Sequence, residues 1–154
     1  GRLRRNFQGY TTDEAQALIG VGPSSIGHLP QGFLQNAPDV GGWTRRVEDG
    51  RMPVVKGIAV TDEDRVRSDL IERLMCDFAV DYGHFAQALT GARGGFDDSQ
   101  ADLDGLAAEG LLTHDRAARR VAMSEPGRPF VRLAAAAFDA RLRAATPARH
   151  SAAV

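Results

Sequence analysis

Only one cysteine, Cys76, stands among the 154 residues, so no intrachain disulfide can form and no cage of cysteines can hold a metal within this chain. Oxidising surroundings are not required, and a cytoplasmic setting is the expectation. The four histidines, His28, His84, His114 and His150, are scattered, and none is set four residues from another with a glutamate between them. That spacing gives no zinc or iron–sulfur signature. The formal net charge is only -1, which removes any global attraction for nucleic acid or anionic lipid. Long apolar runs are also missing: nothing approaches the roughly 18 residues of a membrane span. The opening Gly1-Arg2-Leu3-Arg4-Arg5 is basic but leads into polar residues rather than the apolar core of an export signal. There is no initiating Met, and the chain is expected to be a piece of a longer protein.

What remains is the composition of a soluble globular chain, 43% hydrophobic and 25% charged. Residues 1 to 36 are rich in Gly, Pro, Ser and Thr, with Phe7 to Tyr10 extended and a short helix expected over Glu14 to Leu18, capped by Thr12 or Asp13. Leu18 to Val21 reads as a strand end entering a glycine-rich loop, and His28 to Asn36 reads as irregular. A helix is expected from about Asp39 to Glu48, stopped by Gly50, with Trp43 and Val47 on one face. Met52 to Val60 carries the β-branched residues of a strand. After Thr61, Val66, Leu70, Leu74 and Phe78 recur every four residues, with Ile71 and Met75 widening the stripe, so a helix must bury one face. Glu63/Arg67 and Asp69/Arg73 add charge pairs of favourable order. Cys76 lies beside that apolar face, where a small buried thiol is the expectation.

Further along, short helices are expected over His84 to Leu89 and Asp98 to Glu109, the latter ended by Gly110. A hairpin over Leu111 to Ser124 turns near Asp115 to Ala118 and points Val121 and Met123 to one face. A last helix over Pro129 to Arg143 carries Val131, Ala135, Phe138 and Leu142 on one stripe, followed by a frayed tail. The order from residue 62 to 143 resembles a winged-helix module. Arg116, Arg119 and Arg120 could then meet nucleic acid, but Asp97, Asp98, Asp102, Asp104 and Glu109 on the adjoining helix would repel phosphate. The arginines are expected to be solvated or paired with that acidic face, and no nucleic-acid partner is expected.

The glycines Gly20, Gly22 and Gly27 do not match nucleotide signatures. Gly20 and Gly22 are followed by four residues before Gly27, not two, and no Lys-Ser/Thr pair follows. They serve either a strand end that needs close packing or the approach of an adenine or sulfonium ligand. Arg45, Arg46, Lys56 and Arg67 could bind carboxylates, but each is expected to be a surface charge or a structural pair.

Three runs carry a resemblance. Arg5-Asn6-Phe7-Gln8-Gly9-Tyr10-Thr11-Thr12, Leu18-Ile19-Gly20-Val21-Gly22-Pro23-Ser24-Ser25-Ile26-Gly27, and Lys56 to Thr61 continuing to Leu74-Met75-Cys76-Asp77-Phe78 are similar to oxygen-independent coproporphyrinogen III oxidases. The resemblance covers most of residues 3 to 143 and falls in the C-terminal part of that family. It implies a mostly α chain with small β elements: the end of a partial α/β barrel, then a winged-helix-like helical module. The implied divisions are a barrel remnant over 1–36, a connecting helix and strand over 37–60, the winged-helix-like module over 61–143 and a flexible tail over 144–154.

The family oxidatively decarboxylates coproporphyrinogen III to protoporphyrinogen IX in haem synthesis. It uses a 4Fe-4S cluster and two molecules of S-adenosylmethionine per turnover. The resemblance implies that the cluster ligands lie outside this chain, that the chain alone is inactive, and that the parent enzyme is monomeric with coproporphyrinogen III and S-adenosylmethionine as its partners. By position it makes Gln8 a polar contact and Ile26 an apolar contact to S-adenosylmethionine, with Phe7 beside them. It assigns no catalytic or metal-binding residue within the chain. Enzyme-like haem-carrier proteins share this architecture, and the Asn6 to Thr12 run favours the oxidases. A winged-helix interaction or regulatory module is the alternative from another class.

Overall fold

The computed structural model describes residues 2–6, 9–89 and 95–144. Phe7 and Gln8 lie outside them, as does the tail beyond Ala144. The chain forms two compact units, one of Asn6–Asp62 and one running from Glu63 onward together with the N-terminal residues up to Arg5. No helix among the described residues is long and apolar enough to cross a membrane.

Short strands β1 (Arg4–Asn6) and β2 (Gly9–Thr11) open the chain. The helix expected over Glu14 to Leu18 does not form. The Asp13 carboxylate turns back to accept from the amide of Ala15 at 2.9 Å, while Thr11 Oγ1 accepts from the amide of Asp13. These local bonds take the polar groups that would have capped a helix. Leu18 instead forms a β-bridge with His28.

The stretch expected to be irregular is a hairpin of β3 (Ile26–Leu29) and β4 (Gly32–Asn36), turning at Pro30-Gln31. Gly32 makes it possible: at φ 156, a Cβ there would sit 2.1 Å from the Ile58 carbonyl oxygen. Asp39 caps α1 (Val40–Glu48) by accepting from the Gly42 amide, and the helix stops before Gly50, close to the sequence expectation. Trp43 is half-buried and Val47 is 45% exposed, so their shared face is only partly covered. β5 (Val54–Ala59) then adds to β4, giving the antiparallel order β3-β4-β5 with one irregularity at Gln35/Asn36.

The second unit is built on α2 (Asp62–Asp77). Its stripe is as expected: Leu70 and Leu74 have no exposed surface, Met75 is buried, and Val66, Ile71 and Phe78 pack against the core. Burial raises the Asp69 pKa and the charge of Arg73 opposes that rise, so the favourable order of this pair acts without a direct ion pair. Arg73 reaches Asp77 at 3.4 Å and donates to the Leu3 carbonyl at 2.8 Å. Glu72 accepts from the Arg5 amide at 2.9 Å, so the N-terminal residues are clasped to this helix.

Phe78, at φ 59, turns the chain from α2 into β6 (Ala79–Asp81). This strand is absent from the sequence reading because three residues show no alternation. Asp81 caps α3 (Tyr82–Ala86), and a 3-10 turn over Asp97–Ser99 precedes α4 (Gln100–Ala108). The hairpin of β7 (Leu112–Asp115) and β8 (Arg120–Met123) lies as expected, and β6 joins it in the order β6-β8-β7. The last helix is broken into α5 (Val131–Ala137) and α6 (Ala140–Ala144). Phe138 is buried at the break, where Asp139 accepts from the Arg141 and Leu142 amides to start the second helix. This break rotates Leu142 off the buried stripe, leaving it 53% exposed.

Tyr82, Phe96 and Phe138 form the aromatic centre, with Phe96 meeting both others edge-on at 6.2 and 5.5 Å between centroids. Beside it Arg67 is buried at 4% exposure. Its Nη1 donates to the Phe138 carbonyl at 2.9 Å, its Nε to Glu63 at 2.9 Å and its Nη2 to Asp98 at 3.3 Å, while the guanidinium lies 5.1 Å from the Phe96 ring centre. Replacement Arg67→Met keeps the stem but leaves the Phe138 carbonyl unpaired. It is expected to cost about 2–3 kcal/mol in urea unfolding of the chain, with Arg67→Lys recovering only part, because an ammonium cannot reproduce the fork.

Candidate functional site

Of the three contact residues implied by sequence, only Ile26 is described; Gln8 and Phe7 are not. Ile26 opens β3, immediately after the glycine-rich loop. That loop is fastened from within. The buried side chain of Asn36 donates to the carbonyls of Gly22 at 2.9 Å and Gly20 at 3.3 Å, and the Asn36 amide donates to Ser25 O at 3.0 Å. A Cβ on Gly20 would fall 2.8 Å from Ser25 Cβ and 2.9 Å from the Ile26 carbonyl oxygen. The requirement for glycine at this position is thus close packing of the chain on itself.

The loop delivers Ile26 to a defined place on the sheet. Directly opposed residues of an antiparallel pair put their side chains on the same face. Ile26 opposes Gln35, which opposes Lys56; in the next row His28 opposes Phe33, which opposes Ile58. One face therefore carries Ile26, Gln35 and Lys56 above His28, Phe33 and Ile58. The His28 and Phe33 rings are stacked, 4.6 Å between centroids and 17° apart. Ile26 is 37% and Ile58 52% exposed, and Lys56 is exposed. Gln35 leans to the Ser24 carbonyl at 3.5 Å. The opposite face is lined with small residues, Gly27 and Gly57 on either side of Leu34.

This constellation was hidden in the sequence because His28 to Asn36 reads as irregular. The signal that reveals it is alternation on either side of Pro30-Gln31: Ile26 and His28 before the turn, Phe33 and Gln35 after it.

The four basic candidates separate. Arg67 is committed to the core. Arg45 and Arg46 line an open cleft beside the start of α1, with Arg51, Asp39 and Asp49, where Arg51 pairs Asp49 at 2.6 Å. Lys56 alone shares the face with Ile26.

In the second unit, a chain of polar side chains ties the hairpin to its neighbours. The His114 side chain is 1% exposed; its Nδ1 lies 2.8 Å from Asp104 Oδ1 and its Nε2 3.0 Å from the Tyr82 hydroxyl. Asp104 also accepts from Arg116, whose Nε is 3.3 Å away. Arg116 is thus paired with the acidic helix. The Arg116 guanidinium, and then His114, hold the Asp104 carboxyl below its ordinary value of 3.8. No nucleophile takes part in this chain, and its effect is to fasten α4 to β7. Among the described residues, no group of three His, Cys, Asp or Glu side chains is placed to hold a metal. Cys76 is half-exposed rather than fully buried, and partial burial raises its thiol pKa, which disfavours the thiolate form.

No protein-family model matches the chain. Curated relatives do. The chain is 42% identical over 140 residues, 91% of its length, to the oxygen-independent coproporphyrinogen III oxidase of Bradyrhizobium diazoefficiens. It is 42% identical over 161 residues to that of Paracoccus denitrificans and 34% identical over 151 residues to that of Salmonella typhimurium. A solved structure, the coproporphyrinogen III oxidase of Escherichia coli described as a radical SAM enzyme, superposes on 92% of the chain with a TM-score of 0.81 and 31% identity. The chain spans 31% and 33% of the first two relatives and 32% of that structure.

The lowered Asp104 pKa has a consequence in acid. A carboxyl held below its unfolded value adds stability that is present above that value and is lost as pH falls through the folded one. Wild-type urea midpoints are expected to drop below about pH 4, and Asp104→Asn to flatten that limb; an unchanged acid profile would show that the link contributes nothing.

In sequence and in fold, the chain corresponds to the C-terminal part of the oxygen-independent coproporphyrinogen III oxidases, spanning about a third of their length.

Proposed function

We propose that the parent protein oxidatively decarboxylates coproporphyrinogen III to protoporphyrinogen IX as a radical S-adenosylmethionine enzyme, and that this chain supplies its C-terminal part. The observation that carries the reading is the match over nine-tenths of the chain to relatives of that name, together with the superposition at TM-score 0.81. The 4Fe-4S cluster is held by cysteines outside this chain, in keeping with its single cysteine. The working enzyme is a cytoplasmic monomer, and the chain alone is inactive.

S-adenosylmethionine, when bound and reduced, supplies the 5′-deoxyadenosyl radical that begins the oxidation. The residues present fit such a ligand at one point: Ile26 is an apolar side chain left 37% exposed on its sheet face, held by a loop that Asn36 locks. Its role is dry contact that keeps water from a reactive species. Gln8 offers an amide that both donates and accepts, suited to ribose, carboxylate or ammonium groups. Phe7 adds apolar surface beside it.

The winged-helix-like module, with its sheet of order β6-β8-β7, serves the parent enzyme by excluding water or positioning the tetrapyrrole rather than by binding nucleic acid. The Arg116–Asp104 pair supports the second half of this reading, because one of the three hairpin arginines that would face phosphate already has a carboxylate.

The full-length protein, reconstituted with its cluster without oxygen, is expected to form protoporphyrinogen IX and 5′-deoxyadenosine from coproporphyrinogen III. Gln8→Ala and Ile26→Asp are each expected to weaken S-adenosylmethionine binding about tenfold or more. Unchanged affinity in both variants would remove these residues from the site, and absence of product from the wild type would overturn the enzymatic reading.

A further inference from the structure

The face that carries Ile26 also carries a cation that pairs with no carboxylate among the described residues. Lys56 stands in the same row as Ile26, separated from it by Gln35 on the central strand. It is exposed and has no salt bridge among the described residues. Among the described residues, the two strand rows of this face hold no Glu or Asp: they are Ile26, Gln35, Lys56 and His28, Phe33, Ile58. The ammonium therefore ends a plate that is otherwise aliphatic, aromatic or neutral.

Such a plate suits one kind of ligand. A flat apolar body can rest on the exposed Ile26 and Ile58 side chains, while a carboxylate at its margin meets the ammonium in a charge-assisted hydrogen bond. Neighbouring strands lie about 4.8 Å apart, so Ile26 and Lys56 are about 10 Å apart at the backbone. A group touching Ile26 leaves Lys56 free to engage a second molecule beside it.

We infer that Lys56 is a substrate-binding residue that pairs with a propionate carboxylate of the tetrapyrrole, while Ile26 contacts the S-adenosylmethionine next to it. This rests on the reading under Proposed function. It adds the part of the substrate that is held and the residue that holds it. Carboxylate recognition here is through a point charge on a long stem, which tolerates rotation of the propionate. Lys56 positions substrate and takes no part in bond making, so its loss acts on substrate affinity before turnover.

The test uses the full-length enzyme, with coproporphyrin III as the unreactive porphyrin probe and S-adenosylmethionine titrated separately. Lys56→Met is expected to raise the coproporphyrin Kd and the coproporphyrinogen KM about tenfold, while kcat, S-adenosylmethionine affinity and the urea midpoint stay near wild type. Lys56→Arg should keep most of the affinity. Raising KCl should weaken porphyrin binding to the wild type more steeply than to Lys56→Met.

If Lys56→Met binds the porphyrin as wild type does, the assignment fails. If it loses S-adenosylmethionine affinity instead, the carboxylate belongs to that ligand and the assignment also fails. If its urea midpoint falls, Lys56 serves the fold, which equally overturns the inference. A wild-type enzyme that neither binds coproporphyrin III nor oxidises coproporphyrinogen overturns the underlying enzymatic reading, whatever Lys56 does.

Discussion

A buried guanidinium sets the arrangement of the second unit. Arg67 projects from the apolar side of α2 into the core, where an uncompensated charge would be costly. Its compensation is drawn from three places, one local and two distant: Glu63 one turn before, Asp98 at the approach to α4 and the backbone carbonyl of Phe138. The last acceptor has a reason to be available. The end of α5 stops at Phe138, so its carbonyl has no partner in a continuing helix and can point at Arg67. The break between α5 and α6 and the burial of Arg67 are therefore one event. The Phe96 ring beside the guanidinium ties the aromatic centre to the same charge.

The first unit depends on register rather than on charge. Gly32 lets the backbone of β4 approach Ile58, and that contact aligns the rows that put Ile26, Gln35 and Lys56 together. A slip of one residue would send Ile26 and its partners to opposite faces. Asn36 sits at the irregularity of the same pair of strands and fastens the loop that precedes Ile26. Position and orientation of the candidate contact residue thus come from one short sheet.

Long periodic features were legible in the sequence. The four-residue spacing from Val66 to Phe78, the helix from about Asp39 to Glu48 and the hairpin turning near Asp115 describe elements that form close to where expected, because each is decided by local periodicity or turn residues. The failures share a different physics. Asp13 has the side chain of a helix cap but spends it on the Ala15 amide, while Thr11 takes the Asp13 amide, and no apolar stripe follows to draw a helix inward. β6 is too short to alternate and exists because β8 offers it a partner. Arg67 sits one position after Val66 and looks like half of a surface pair; only the tertiary fold brings Phe138 and Asp98 to it. For the candidate face, the row partners of Ile26 are set by the register of the hairpin, which depends on pairing between strands, whereas the motif resemblance points to Ile26 by position alone.

The bonds around His114 close on themselves. Gln100 is anchored through its Nε2 to the Phe96 carbonyl, which presents its Oε1 to the Tyr82 hydroxyl at 3.4 Å. The same hydroxyl lies 3.0 Å from His114 Nε2, and His114 Nδ1 meets Asp104, which stands on the same helix as Gln100. The helix α4 is therefore joined to α3 and to β7 by one ring of side chains, in which each element is held by the other two.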